Sequence, residues 1–210
     1  MGRILCHLKH KGLVQRSPSA LRVKKKRRFT KGHAQAWTFK KYETMQIGER
    51  LQIDHMTVTR NGLSFKHFQA WDRRSKFIHA KSSSAKRFLL DLVQKIPFPI
   101  LSIQVDGGSE FSAEFEQACA DLHIPLIVLP PRKPQYNGGV ERGNRTLREE
   151  FYNRNTFTAD TLSTIRTQLH QALLVYNSYR PHQHLKGLTP FQYLLNHQLY
   201  EDPSKVSHLA

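Results

Sequence analysis

The chain has 210 residues, 39% of them hydrophobic, and carries 33 Lys and Arg against 16 Asp and Glu, for a net charge of +17. This length supports one full domain with its own core plus short extensions. The basic surplus points to a polyanionic partner, nucleic acid before an anionic membrane, because no helix shows a clean basic-plus-apolar division. No apolar run approaches the ~18 residues that span a bilayer, and Met1-Gly2-Arg3-Ile4 has no signal-peptide pattern. Cys6 and Cys119 form no metal or redox motif and read as reduced thiols of a cytosolic protein. His7, His10, His182 and His184 lack the cysteine partners of a structural zinc site.

In chain order, residues 3–14 read as a short helix with Ile4, Leu5 and Leu8 on one face and Gly12 as its stop. Residues 16–28, with Pro18 and the run Lys24-Lys25-Lys26-Arg27-Arg28, read as a basic linker or phosphate-binding arm. Strands are expected at 50–58, 63–71 and 76–80, with Trp71-Asp72-Arg73-Arg74-Ser75 as the turn between the last two. A serine-capped helix follows at 82–96, its Phe88, Leu89, Leu92, Val93 and Ile96 at helical spacing, and Pro97 and Pro99 end it. Then come a buried strand at 100–105, a helix at 112–122 with Ser112 as N-cap, and a buried strand at 124–129 closed by Pro130-Pro131. Further helices are expected from the Gly138-Gly139 region onward and over 159–176. Three strands on short turns make an antiparallel meander, and the later strand–helix alternation adds parallel strands to it. The expectation is an α/β fold: a mixed five-stranded sheet flanked by helices.

Three acidic residues stand out in so basic a chain. Asp54 ends Leu51-Gln52-Ile53-Asp54, Asp106 ends Ile103-Gln104-Val105-Asp106, and Glu141, separated from Asp106 by 34 residues, lies at a helix start. Adjacent strands would set Asp54 and Asp106 side by side, where two carboxylates repel unless a divalent cation lies between them. Carboxylate oxygens suit Mg²⁺ or Mn²⁺. On the third segment Val140, Leu147 and Phe151 form an apolar stripe, with Glu141, Arg145 and Arg148 on a neighbouring face. The plainer reading makes Asp54 and Asp106 turn or cap residues and Glu141 an i,i+4 partner of Arg145.

The segments Leu51-Gln52-Ile53-Asp54, Val105-Asp106-Gly107-Gly108-Ser109-Glu110-Phe111 and Pro134-Gln135-Tyr136-Asn137-Gly138-Gly139-Val140-Glu141-Arg142 are where the chain resembles a known family. With Tyr176-Asn177-Ser178-Tyr179-Arg180-Pro181-His182 and Leu188-Thr189-Pro190, they resemble the catalytic core of insertion-sequence transposases and retroviral integrases, a ribonuclease H-like fold with a D,D(34/35)E triad. The match runs from about Gly48 to Tyr193. The family usually has Asn after the second aspartate; here it is Gly107, and loss of that amide is expected to lower activity. Gly2-Arg3-Ile4-Leu5 and Lys11-Gly12-Leu13 resemble the last helix of a helix-turn-helix region, so the chain is expected to be N-terminally truncated. The organisation expected is a helix-turn-helix remnant at 1–15, a basic linker at 16–47, the core at 48–195 and a tail at 196–210.

The resemblance implies a DDE-type polynucleotidyl transferase that performs DNA cleavage and strand transfer with Mg²⁺ or Mn²⁺. Asp54, Asp106 and Glu141 would be both catalytic residues and metal ligands. Lys133, Tyr136, Arg142, Arg145 and Arg148 would bind DNA. The implied partners are element-end and target DNA and further copies of the chain on that DNA, with a cytoplasmic, nucleoid-associated location in a bacterium. The alternative is a catalytically weak or inactive DNA-binding remnant. A ribonuclease H-type nuclease acting on RNA–DNA hybrids is the third reading, and the Arg180-Pro181-His182 tail argues against it.

Overall fold

The computed structural model describes residues 34–36, 38–60, 62–130, 134–155 and 162–199. The helix expected at 3–14 and the basic run at 24–28 lie outside them. One mixed sheet organises the rest. Strand β1 is Ala34–Ala36, β2 Leu51–Arg60, β3 Leu63–Asp72, β4 Ile78–Ser82, β5 Ile103–Val105 and β6 Leu126–Val128, in the spatial order β1-β6-β5-β2-β3-β4. The meander β2-β3-β4 is antiparallel, and β5, β6 and β1 are added in parallel beyond β2. These are the five expected strands plus a three-residue edge strand. That edge strand and the buried Met45 and Ile47 come from the stretch read as linker.

The helices are α1 (Ala85–Lys95), α2 (Glu114–Asp121), α3 (Gly138–Thr146), α4 (Leu162–Tyr179) and α5 (Pro190–Asn196). Period-2 alternation on β2 decides which helices lie where. Leu51 and Ile53 face one core with Phe88, Leu92, Phe115 and Phe191 of α1, α2 and α5. Met56 and Val58 face the other, with Leu147, Phe151, Leu169 and Leu173. Gln52 and Asp54 share the parity of Met56, and so belong to the face that α3 covers.

Several local features have clear physical causes. The turn after β3 is built on Asp72, whose buried carboxylate accepts from the amides of Gly48 (3.1 Å) and Ser75 (2.6 Å) and from the Ser75 hydroxyl (2.7 Å). Helix α2 starts at Glu114 rather than behind a Ser112 cap, because a 3-10 turn at Ser109–Phe111 intervenes and Ala113 takes a positive φ of 52°. Beyond α3, Leu147–Tyr152 is a π-helical turn. The extra residue lets the adjacent Phe151 and Tyr152 both enter the core, and Tyr152 Oη meets the buried His67 Nδ1 at 2.9 Å. Asn177 of α4 treats Ile78 as a strand neighbour would, accepting from its amide at 3.0 Å and donating to its carbonyl at 2.8 Å. Thr189 and Gln192 cap α5 reciprocally with Pro190 in its first turn, which accounts for Leu188-Thr189-Pro190 as a helix start.

Helix α3 approaches the sheet through glycines. A Cβ at Gly139 would collide with the Trp71 indole and the Gln52 amide, and one at Gly143 with the Gln69 amide. Alanine gains about 1 kcal/mol over glycine in a helix interior, but overpacking a filled contact costs about 1–3 kcal/mol, and an indole ring wedged in place cannot give way. Gly139→Ala is therefore expected to destabilise the fold by about 1–2 kcal/mol, read as a lowered urea midpoint with an unchanged m-value. A midpoint that rises would mean that α3 stands off β3.

Candidate active site

The parallel register pairs Gln52 with Gln104 and Ile53 with Val105. The next residue on each strand is an aspartate, so Asp54 and Asp106 emerge side by side on the α3 face. Asp106 directly follows β5, as expected. Asp54 does not end a strand: β2 runs on to Arg60 because its antiparallel ladder with β3 continues after the parallel ladder with β5 stops at Ile53. Asp54 thus marks the end of the parallel pairing, where the sheet opens on one side.

Three glutamines set α3 and the turn before it against the sheet. Gln52 Nε2 and Gln104 Nε2 both donate to the Tyr136 carbonyl, at 2.7 and 2.9 Å. Gln52 Oε1 accepts the Val140 amide at 3.2 Å, and Gln69 Nε2 donates to the Val140 carbonyl at 3.3 Å. One turn further along α3, Asn144 Nδ2 donates to Asp54 Oδ2 at 2.9 Å and fixes that carboxyl. Sequence reasoning passed over Gln52, Gln104 and Asn144. The signal was present as Gln-Ile-Asp and Gln-Val-Asp, the same triplet pattern ending at each aspartate.

Each expected site residue has a definite place. Val140, Leu147 and Phe151 are buried as the apolar stripe required. Glu141 lies exposed in the first turn of α3. At 100° per residue, Glu141 and Arg148 share one flank of the helical segment, while Arg142 lies on the other, with Gly139 and Gly143 toward β3. Arg145 pairs with Glu149 at 3.7 Å rather than with Glu141, and Arg148 Nη2 rests 3.6 Å from Met56 Sδ. Tyr136 is half-buried, and its carbonyl rather than its ring carries the hydrogen bonds described above. Lys133 lies outside the described residues.

Asp106 is held by the Gly108 amide, which donates to its Oδ1 at 3.0 Å. Glu110 is a fourth carboxylate beside the pair, anchored by His55 Nδ1 at 2.6 Å. A side chain on Gly108 would strike both Glu110 and Asp106. At Gly107 a Cβ would meet nothing within 4 Å.

Burial pushes the Asp54 carboxyl up to about 6, and the negative charges of Asp106 and Glu141 push in the same direction against the opposing pull of the His55 amide. Asp54 therefore feels the charge of both other expected acids. Among the described residues, however, no three His, Cys, Asp or Glu side chains close around a single point to hold an ion. The donor set still fits a hard divalent cation: oxygen-only ligands, one of them raised by burial and then by the charges of the other two, are what such a cation relieves.

Because the folded-state pKa of Asp54 lies above its ordinary value of 3.8, the folded chain holds this proton more tightly than the unfolded chain does. Ionising Asp54 costs stability, and that loss develops as pH rises from about 4 to about 6. Without divalent cation, Asp54→Asn is expected to be more stable than the parent at pH 7 by about 2 kcal/mol, with the gain vanishing below pH 4. Urea unfolding at pH 3.5, 5 and 7 measures it. A gain independent of pH would mean that the carboxyl titrates as it does in water.

Comparison with known proteins bears on the whole arrangement. The family description "Integrase core domain" matches residues 122–190, from the end of α2 to the start of α5. An uncharacterized 31.7 kDa protein of insertion element IS407 from Burkholderia multivorans is 28% identical over 102 residues, which is 48% of this chain and 36% of that protein. The chain thus aligns with about a third of the length of that curated relative. The catalytic core of BIV integrase superposes with a TM-score of 0.55 at 25% identity, over 72% of this chain and 96% of that one. Two further likenesses, both at 18% identity, bear on the fold alone. The simian T-cell lymphotropic virus intasome superposes with a TM-score of 0.64 over 84% of this chain and 63% of that one. The HTLV-2 integrase catalytic core, solved with magnesium, superposes with a TM-score of 0.53 over 70% of this chain and 95% of that one. With its β2–β5 register, its α3 crossing and these matches, the chain has a ribonuclease H-like fold similar to that of retroviral integrase catalytic cores, and its residues 122–190 match the integrase core domain.

Proposed function

We infer that the chain catalyses divalent-metal-dependent cleavage and strand transfer of DNA, with Asp54, Asp106 and Glu141 as its carboxylates. The observation that supports this reading is the parallel register that sets Asp54 beside Asp106, with the segment leading into α3 held against the two strands by the hydrogen bonds of Gln52 and Gln104 to the Tyr136 carbonyl. Mg²⁺ or Mn²⁺ would be held by these three residues and would supply Lewis-acid stabilisation of the attacking and leaving oxygens. The chain's own groups do the rest. Asn144 holds the Asp54 carboxyl, the Gly108 amide holds that of Asp106, and exposed Arg145 and Arg148 lie near enough to Glu141 on α3 and the turn after it to position a phosphate backbone.

In the first step a water oxygen attacks phosphorus at the element end. The P–O3′ bond breaks, and the proton released ends on the free 3′-hydroxyl. In the second step that hydroxyl attacks a target phosphodiester, forming a new P–O bond, and the displaced target 3′-oxygen takes up the proton. The partners are element-end and target DNA, with further copies of the chain assembled on them. No described helix is long and apolar enough to cross a membrane, and the proposed place of action is the bacterial cytoplasm, on the nucleoid.

The test is a strand-transfer assay with pre-processed ends in Mn²⁺, with Glu141→Gln as the blank and Mn²⁺ titrations of the parent and Asp106→Asn beside it. The expected outcome is metal-dependent joining that falls at least about a hundredfold in Glu141→Gln, with weaker Mn²⁺ binding in Asp106→Asn. Equal activity in the blank would place the chemistry elsewhere. No joining by the parent at any concentration would favour the non-catalytic DNA-binding reading.

The open space at Gly107 generates a second expectation. Asn fits there without collision, so Gly107→Asn should leave stability within about 0.5 kcal/mol and raise strand transfer by restoring an amide beside Asp106. Activity below that of the parent, with unchanged stability, would show that the absent amide is not what limits this chain.

A further inference from the structure

A cleft of about 540 Å³ opens on the β3 flank of α3, the side away from Glu141. Its cations come from three separate parts of the chain. Arg142 projects from α3, Arg73 and Lys76 come from the turn after β3, and Arg180 and His182 come from the segment that follows α4. No carboxylate is among the residues that line it.

The cations are held in place rather than loosely splayed. The Lys76 ammonium sits between the Tyr42 and Trp71 rings, 4.6 and 4.8 Å from their centroids, and donates to the Arg73 carbonyl at 2.6 Å. Lys76 itself takes a φ of 62°, a conformation glycine would adopt without strain. Arg180 lies over the Tyr176 ring at 5.5 Å and is steadied by Glu150 of the π turn. The local potential registers in the neighbours. Burial, and then the charges of Arg180, Lys76 and His184, hold His182 down to about 4. Lys76 is held to about 8 by burial, with Arg73 and Arg74 adding to the push and Asp72 opposing it. A concave site with several fixed cations and no lining carboxylate is built for an anion.

We propose that this cleft is a second phosphate-binding subsite, which grips a backbone phosphate of the DNA on one flank of α3 while the carboxylates act on the other. The assignment of DNA as the anion rests on the function proposed above; the anion site itself does not. A helix with its side chains is about 10–12 Å across, and successive phosphates of a strand rise about 3.4 Å each. The gripped phosphate therefore lies about three nucleotides from the scissile one, and the cleft sets how the duplex lies across the helix.

The test is the salt dependence of duplex binding by fluorescence anisotropy, without divalent cation. It compares the parent, Arg142→Gln/Arg180→Gln, the single variant Arg73→Gln, and a control, Lys86→Gln/Arg87→Gln, which removes two exposed charges from α1. Each phosphate that is no longer neutralised lowers the magnitude of the log–log slope by about 0.9. The cleft double variant should lose about 0.9, Arg73→Gln should lose up to about 0.9, and the control should match the parent. Thermal unfolding of each variant separates weakened phosphate binding from an unfolded chain, and Arg73→Gln decides the matter if the double variant unfolds. A duplex carrying one uncharged methylphosphonate about three nucleotides from the joining site should weaken binding to the parent but not to the double variant. Equal slope losses in cleft and control variants, or none in the cleft variants, would overturn the proposal. A slope loss confined to the cleft variants, in a chain that joins no DNA, would leave the subsite standing and remove only the catalytic reading. Strand transfer with no slope loss would do the reverse.

Discussion

One carbonyl oxygen holds the geometry of this core together. The Tyr136 carbonyl receives two side-chain amides, one from each of two neighbouring parallel strands, at 2.7 and 2.9 Å. Both donors, Gln52 and Gln104, are buried, with 2% and 0% of their surface exposed. A neutral hydrogen bond adds only about 1 kcal/mol net, but a buried amide left without a partner costs about 1–3 kcal/mol. The pair is therefore a weak source of stability and a strong source of register. Sliding β5 by one residue against β2 would turn Gln104 to the opposite face and strand it in the apolar core. The register that satisfies both glutamines is the one that brings the next-but-one residues, Asp54 and Asp106, abreast.

Environment, rather than residue type, separates the acids of this fold. Asp91 and Asp54 are both partly buried aspartates. Burial works to raise Asp91 too, but His79 and Lys81 outweigh it and draw the carboxyl down to about 2. At Asp54 burial and two negative neighbours outweigh the Asn144 amide and the pull of His55, and the carboxyl is pushed up to about 6. Glu49 pairs with Lys40, and Glu150 with Arg180. In a chain with twice as many basic as acidic residues, Asp54, Asp106 and Glu141 lie within ion-pair reach of no lysine or arginine among the described residues. Acids left uncompensated amid surplus cations are what the proposed divalent-metal site calls for.

What could be read in advance follows from which forces leave a local mark. Buried strands at β5 and β6 and the amphipathic α1 announce themselves by apolar spacing, because burial acts residue by residue. The side-by-side placement of Asp54 and Asp106 was legible from their strand contexts. Three kinds of feature were not. Gln52 and Gln104 read as polar interruptions of apolar runs, since their partner is a carbonyl far away in sequence. The π turn at Leu147–Tyr152 satisfies a packing demand, two adjacent aromatics facing one core, that no 3.6-residue period can express. The division of α3 into two flanks, Glu141 on one and Arg142 on the other, depends on which side meets β3. Gly139 and Gly143 settle that by fitting against Trp71 and Gln69.

Those glycines also explain why so much depends on a helix of nine residues. Glycine at two interior positions gives up about 1 kcal/mol of helix propensity each. That cost is accepted because close approach lets the glutamine amides reach the α3 backbone and the Asn144 amide reach Asp54. A helix held off by even one methyl group would lose these bonds together, since all of them span the same gap between helix and sheet. The carboxylates on one flank and the cationic cleft on the other thus answer to a single spacing. The π turn that follows carries Glu150 to Arg180, tying the far wall of the cleft to the same helical segment. Position at the acids and position at the cleft are, in this fold, one mechanical variable.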